Sequence, residues 1–98
     1  MLRHVVMMQL SPSITKDQLQ AIVDSLRALP DVVPEIQSYS VGLDMELVDG
    51  NFDLVVVGDF EDVDAFRGYS ANADHQLVIA EKIAPFVLGR SAVQYTMS

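Results

Sequence analysis

The apolar residues of this chain switch between a period of two and a period of three to four, and the order of the switches admits few folds. Leu2 to Leu10 reads as a strand rich in Val and Met, ended by Ser11-Pro12-Ser13. Thr15-Lys16-Asp17-Gln18 matches a capping box, with Thr15 set to accept from the amide of Gln18 and Gln18 set to reach back. Leu19, Ile22, Val23, Leu26 and Leu29 follow at helical spacing, one buried stripe that stops before Pro30. Pro34 to about Asp44 is extended, with Ile36 and Tyr39-Ser40-Val41 at its centre, and Asp49-Gly50-Asn51 is a turn. Phe52 to Phe60 is the strongest strand. Asp62 is then a good N-cap for a helix carrying Val63, Phe66 and Tyr69. Asn72 to Asp74 interrupts it, a second helical stretch carries Leu77, Ala80, Ile83 and Ala84 to Pro85, and Ala92 to Met97 closes the chain as a strand. The order is β-α-β-β-α-β. It predicts an α+β, ferredoxin-like protomer, a four-stranded antiparallel sheet with helices on one face.

The strand faces add a second expectation. Leu2, His4, Val6, Met8 and Leu10 share one face of the first strand, against Arg3, Val5, Met7 and Gln9. In the third, Phe52, Leu54, Val56 and Phe60 oppose Asp53, Val55, Val57 and Asp59. The more uniformly apolar sets belong under the helices. Val5, Met7, Val55 and Val57 are then left on the uncovered face, where burying them is worth roughly 6–12 kcal/mol. A homodimer packed sheet on sheet is expected through that open face.

Composition excludes several classes of function. With 98 residues, the chain is the size of one domain, 1–98, with 50% hydrophobic residues to build a core. Fourteen acidic against six basic residues give a net charge of −8, a field that repels phosphate, so neither nucleic acid nor a membrane is an expected partner. The absence of cysteine removes disulfides, thiolate metal sites and a cysteine nucleophile. No apolar run approaches the roughly 18 residues of a membrane span. Met1-Leu2-Arg3-His4 does not open like a signal peptide, and a cytoplasmic protein is expected.

Chemistry near neutral pH narrows to the two histidines, His4 and His75. His75 follows Tyr69 by six residues across the helix break, a spacing that can bring phenol and imidazole to one cavity mouth. His4 lies on the strand face assigned to the helices. Two imidazoles and a phenol around an apolar pocket suffice for acid–base work on a carbonyl compound. The plainer reading makes His75 a cap or surface group and His4 a satisfied core histidine.

The residues also resemble a family, the stress-responsive dimeric α/β-barrel domain proteins, essentially end to end. The resemblance begins with His4-Val5-Val6 and continues through Val33-Pro34-Glu35-Ile36 and Gly42-Leu43-Asp44. Its most specific part is Phe60-x-Asp62, then Phe66-x-x-Tyr69-Ser70-Ala71-Asn72-Ala73-Asp74-His75, then Pro85. The family pattern has Tyr, two residues, His-Pro, one residue, His; here Asn72-Ala73 replaces His-Pro. The resemblance implies a ferredoxin-like protomer whose dimer forms a β-barrel from two sheets. The family holds proteins described only by induction under stress, and a plant polyketide cyclase whose residues equivalent to His4, Tyr69 and His75 line a pocket between sheet and helices. Carried over, His75 would move a proton during an aldol closure, Tyr69 would orient it and polarise the carbonyl, and His4 would bind a substrate oxygen. Asn72 in place of a ring would enlarge the entrance. No cofactor and no metal is implied.

The other candidates are weaker. Asp59, Glu61, Asp62 and Asp64 read as a solvated acidic rim rather than a hard-metal site. The methionines read as core filling. Gly58 marks a bulge or the close approach of another backbone. Arg67 and Arg90 can each hold a ligand carboxylate, although isolated surface arginines are the commoner finding. Four functions follow: a cofactor-independent lyase or cyclase of an apolar or aromatic carbonyl compound, a binding module with the same pocket, a structural or stress-protective homodimer, and, last, an oxygenase, haem-linked or cofactor-free.

Overall fold

Strand β1 spans Leu2–Leu10, and its strict alternation of side chains settles which face of the sheet becomes the core. In the computed structural model, which describes residues 1–97, His4, Val6, Met8 and Leu10 are all buried. Helix α1, Lys16–Ala28, starts at the anticipated capping box: the Gln18 amide donates to Thr15 Oγ1 at 3.1 Å, and the Thr15 amide donates to Gln18 Oε1 at 2.9 Å. Its Ile22, Val23 and Leu26 are buried, and a short 3-10 turn over Leu29–Asp31, with Pro30 inside it, ends the run.

Strands β2 (Ser38–Leu43), β3 (Leu54–Phe60) and β4 (Val87–Thr96) complete one antiparallel sheet in the order β2-β3-β1-β4. Between β3 and β4 come helix α2 (Val63–Ala71) and helix α3 (Ala73–Val78), the latter continued by a π turn over Ile79–Ile83. Asp62 caps α2, its carboxylate accepting from the Ala65 amide at 2.8 Å. The element order matches the ferredoxin-like expectation.

Several boundaries differ from the sequence reading. The segment before β2 is not extended: the Ile36 amide donates to the Val33 carbonyl, and the chain joins the sheet only where the Gln37 amide meets the Asp59 carbonyl. Phe52 and Asp53 precede β3, because the Asp53 carboxylate accepts from the Leu10 amide at 2.7 Å and closes the end of β1. β4 begins five residues earlier than its apolar pattern suggests, since Gly89-Arg90-Ser91 lies on an edge strand where polar residues are tolerated. The break in the second helix narrows to Asn72 alone.

Three individual readings are also corrected. Gly58 keeps β3 in unbroken register, and what comes close to it is side chain rather than backbone: an added Cβ would meet the rings of Phe60 at 3.1 Å and Tyr39 at 3.2 Å. Asp59 is no part of a solvated rim. It is buried, and accepts from Arg3 Nε at 2.8 Å, Arg3 Nη2 at 3.0 Å and Ser38 Oγ at 2.7 Å. That pairing holds its carboxyl below the usual carboxylate range. Of the methionines, Met8 fills the core, while Met1, Met7 and Met45 are exposed.

Among the described residues, no helix lies over the opposite face of the sheet. Val5 stands between Val57 and Val93, and Met7 between Val55 and Ser91. Met7 is 40% exposed and Val93 53%, so an apolar band crosses three strands in contact with solvent.

Candidate functional site

One row of the sheet forms the floor of the site. Antiparallel pairing sets Tyr39 of β2 opposite Gly58 of β3, Gly58 opposite His4 of β1, and His4 opposite Gln94 of β4, all facing the helices. The missing side chain at Gly58 is what allows the Tyr39 ring to lie over β3. His4 is 4% exposed, and its Nδ1 lies 2.8 Å from Gln94 Nε2. With the amide donating, Nδ1 accepts and Nε2–H is the ring's remaining donor.

The roof comes from α2 and α3. Phe66 and Tyr69 lie one helical turn apart, with ring centroids 5.0 Å and 6.0 Å from that of His4. Asn72 ends α2 and starts α3, its Oδ1 accepting from the Asp74 amide at 2.9 Å and the His75 amide at 3.2 Å. That cap turns the chain so that His75 stacks on Tyr69, with 4.0 Å between centroids and 29° between planes. His4 and His75 therefore flank a single tyrosine. With Asn72-Ala73 at this turn, His75 lies directly against that tyrosine.

Between floor and roof lies a cavity of about 190 Å³, with Val6, Val56 and Ile83 among its apolar walls. It also reaches His4, Tyr39, Tyr69, His75 and Arg90. The electrostatics favour neutral rings. Burial, aided by the nearby Arg90 and His75, lowers the His4 pKa from 6.5 to about 4. Burial lowers that of His75 as well, against the opposing carbonyls of Ser70 and Tyr69. His75 Nδ1 is buried and has no hydrogen-bond partner among the described residues. The phenols shift upward: burial raises both, and their hydroxyls lie 2.7 Å apart. Two imidazoles that are uncharged at neutral pH, each with a basic nitrogen, thus share an apolar space with a hydrogen-bonded phenol pair.

All three residues singled out from the sequence, His4, Tyr69 and His75, come together. Tyr39, Gln94 and Phe66 were not named as site residues. Tyr39 alternates with the buried Val41 and so faces inward, a pattern visible in the sequence; Gln94 depends on the register of β4. Arg90 separates from Arg67, because only Arg90, set opposite Met8 in the sheet, lines the cavity.

The family model for the stress responsive A/B barrel domain matches residues 2–97. The chain belongs to that family. Among solved structures, a dimeric ferredoxin-like protein of unknown function from Thermobifida fusca shares 35% identity, with a TM-score of 0.89 over 98% of this chain and 90% of that one. A dimeric protein of unknown function and ferredoxin-like fold from Bacteroides fragilis shares 21% identity, with a TM-score of 0.81 over 98% and 95%. The hydroxynitrile lyase of Passiflora edulis has the same fold at 17% identity, with a TM-score of 0.86 over 99% and 93%. Among curated proteins none matches the sequence. The proteins from Thermobifida fusca and Bacteroides fragilis are both described as dimers. No helix among the described residues is long and apolar enough to cross a membrane.

Proposed function

We propose that this stress responsive A/B barrel domain works as a homodimer, and that its cavity binds a small carbonyl compound on which His75, Tyr69 and His4 perform acid–base chemistry without a cofactor. The observation that carries this reading is the meeting of two neutral imidazoles and a phenol around one apolar cavity of about 190 Å³. An apolar cavity of about 150 Å³ accommodates benzene. The occupant is therefore about one ring in size, or a short carbonyl chain that closes to one ring.

The roles follow from the chemistry of each group. The neutral His75 ring accepts a proton from carbon next to the carbonyl. Tyr69 donates to the carbonyl oxygen, stabilising the enolate; its own proton is free for this when Tyr39 donates to it across their 2.7 Å contact. His4 donates Nε2–H to a second oxygen. The enolate carbon then attacks a second carbonyl of the same molecule, and the protonated His75 returns its proton to the new alkoxide. The lyase of the same fold from Passiflora edulis is compatible with such chemistry on this scaffold, although fold alone assigns no activity.

The test follows the ring signals of His4 and His75 by NMR as aromatic and β-keto compounds are added, then assays aldol closure with the compounds that bind. Both rings are expected to respond, and His75→Gln to lower kcat/KM by about 100-fold or more. Binding without turnover reduces the site to a binding module. Rings that ignore every compound leave a structural dimer.

A further inference from the structure

We infer that Arg90 makes this cavity selective for a one-ring aromatic carboxylate, the ring lying against the surface formed by His4, Phe66 and Tyr69 and the carboxylate held by the exposed guanidinium. The inference rests on the small-molecule reading of the cavity and adds the charge and shape of its occupant.

Arg90 stands opposite Met8 in the β1–β4 ladder, so it shares the inward face of the sheet with His4 and Met8. Among the described residues that line the cavity it is the one fully charged side chain, and none of them carries a carboxylate. That is a local reversal in a chain with fourteen acidic and six basic residues. Its guanidinium forms no ion pair among the described residues, whereas Arg3 is engaged in a two-pronged contact with Asp59. An exposed Arg with an open fork is suited to grip a carboxylate through two parallel N–H donors. The charge is also felt inside: it helps keep His4 neutral and opposes the rise of the Tyr69 pKa.

The walls set the rest of the ligand. The His4, Phe66, Tyr69 and His75 rings form a continuous aromatic surface, with neighbouring centroids 4.0–6.2 Å apart. A flat ring packs against such a surface edge-on or offset. At about 190 Å³ there is room for one ring and little more, which leaves its carboxylate to the exposed Arg90 that also lines the cavity.

Benzoate and benzamide, alike in shape and different in charge, test this by calorimetric titration, with the His4 and His75 ring signals reporting where they bind. Benzoate is expected to bind about tenfold more tightly than benzamide, a difference of about 1.4 kcal/mol. In Arg90→Gln that preference is expected to fall to about one, with benzamide affinity unchanged within about twofold. Arg67→Gln, on the exposed side of α2, is expected to keep the preference. Benzamide binding as well as benzoate, or a preference that survives Arg90→Gln, overturns the role of Arg90 while leaving the cavity a binding site. If neither compound binds or moves either histidine ring, the inference and the small-molecule reading fall together.

Discussion

The Tyr39 hydroxyl on β2 lies 2.7 Å from the Tyr69 hydroxyl on α2, thirty residues later in the chain. Tyr69 is 3% exposed, so the Tyr39 hydroxyl is its main replacement for water.

Tyr39→Phe removes one member of that pair and leaves a buried hydroxyl unsatisfied. The expected loss is about 1–3 kcal/mol of stability, read from urea unfolding. The Tyr69 ionisation should also move up in an alkaline ultraviolet titration, because the bond from Tyr39 opposes the rise caused by burial. An unchanged midpoint and an unchanged titration would show that the pair carries no weight.

Histidine burial predicts a particular acid sensitivity. The His4 pKa is lower in the folded protein, about 4, than the ordinary 6.5, so the unfolded chain binds more protons between those values. The contribution is fully present above pH 6.5 and is lost as pH falls towards 4. Over the whole window it amounts to about 3 kcal/mol, and to about 2 kcal/mol between pH 7 and pH 5. His75 acts in the same direction. Asp59, also lowered, holds its contribution until pH falls below its ordinary 3.8. His4→Asn, whose Oδ1 can take the place of Nδ1 beside Gln94, should flatten the pH 7 to 5 limb of the urea-unfolding profile. A limb that stays as steep would assign the loss elsewhere.

Asn72 caps α3 through two backbone amides, so Asn72→Ala should cost about 1 kcal/mol, while Asn72→Ser should retain most of that stability. The His75 ring signal should shift in the Ala variant and the His4 signal should not. Equal movement of both would indicate that the whole cavity, rather than the α3 turn, depends on this cap.

The open sheet face predicts a dimer of the 10.8 kDa chain, seen as twice that mass by light scattering. Val57 lies at its centre, opposite Val5 and Ser40, so Val57→Asp would set an unpaired charge in the interface and should return the mass to that of one chain. Val63→Asp, at the start of α2 in the other layer, should leave the dimer intact. A wild-type mass of one chain would refute the dimer directly.

Much of the fold was legible because it depends on neighbours in sequence. The α1 stripe from Ile22 to Leu29, the Thr15–Gln18 box and the Asp62 cap each act over a turn or two of backbone, and all three stand as expected. The inward face of β1 was equally plain, because alternation is a property of the strand itself. Failures came where a partner from elsewhere decides the outcome. Arg90 belongs to the half of β4 that precedes Ala92, which only pairing with β1 makes extended, and Gln94, in the recognised half, depends on the register of that pairing. Asp59 looked solvated until Arg3, fifty-six residues away, was set beside it.

The candidate site divides along the same line. His4, Tyr69 and His75 could be picked out because histidines are few and the Tyr-to-His spacing spans a visible helix break. Sequence by itself determined the elements, their order and their faces, since side-chain periodicity, caps and turn residues act locally. Only tertiary structure decided that Tyr39 ties to Tyr69, that Gly58 clears space for a ring, and that Arg90 lines the cavity. Those relations depend on cross-strand register and on the docking of helices over the sheet, and both are set by the packing of residues far apart along the chain.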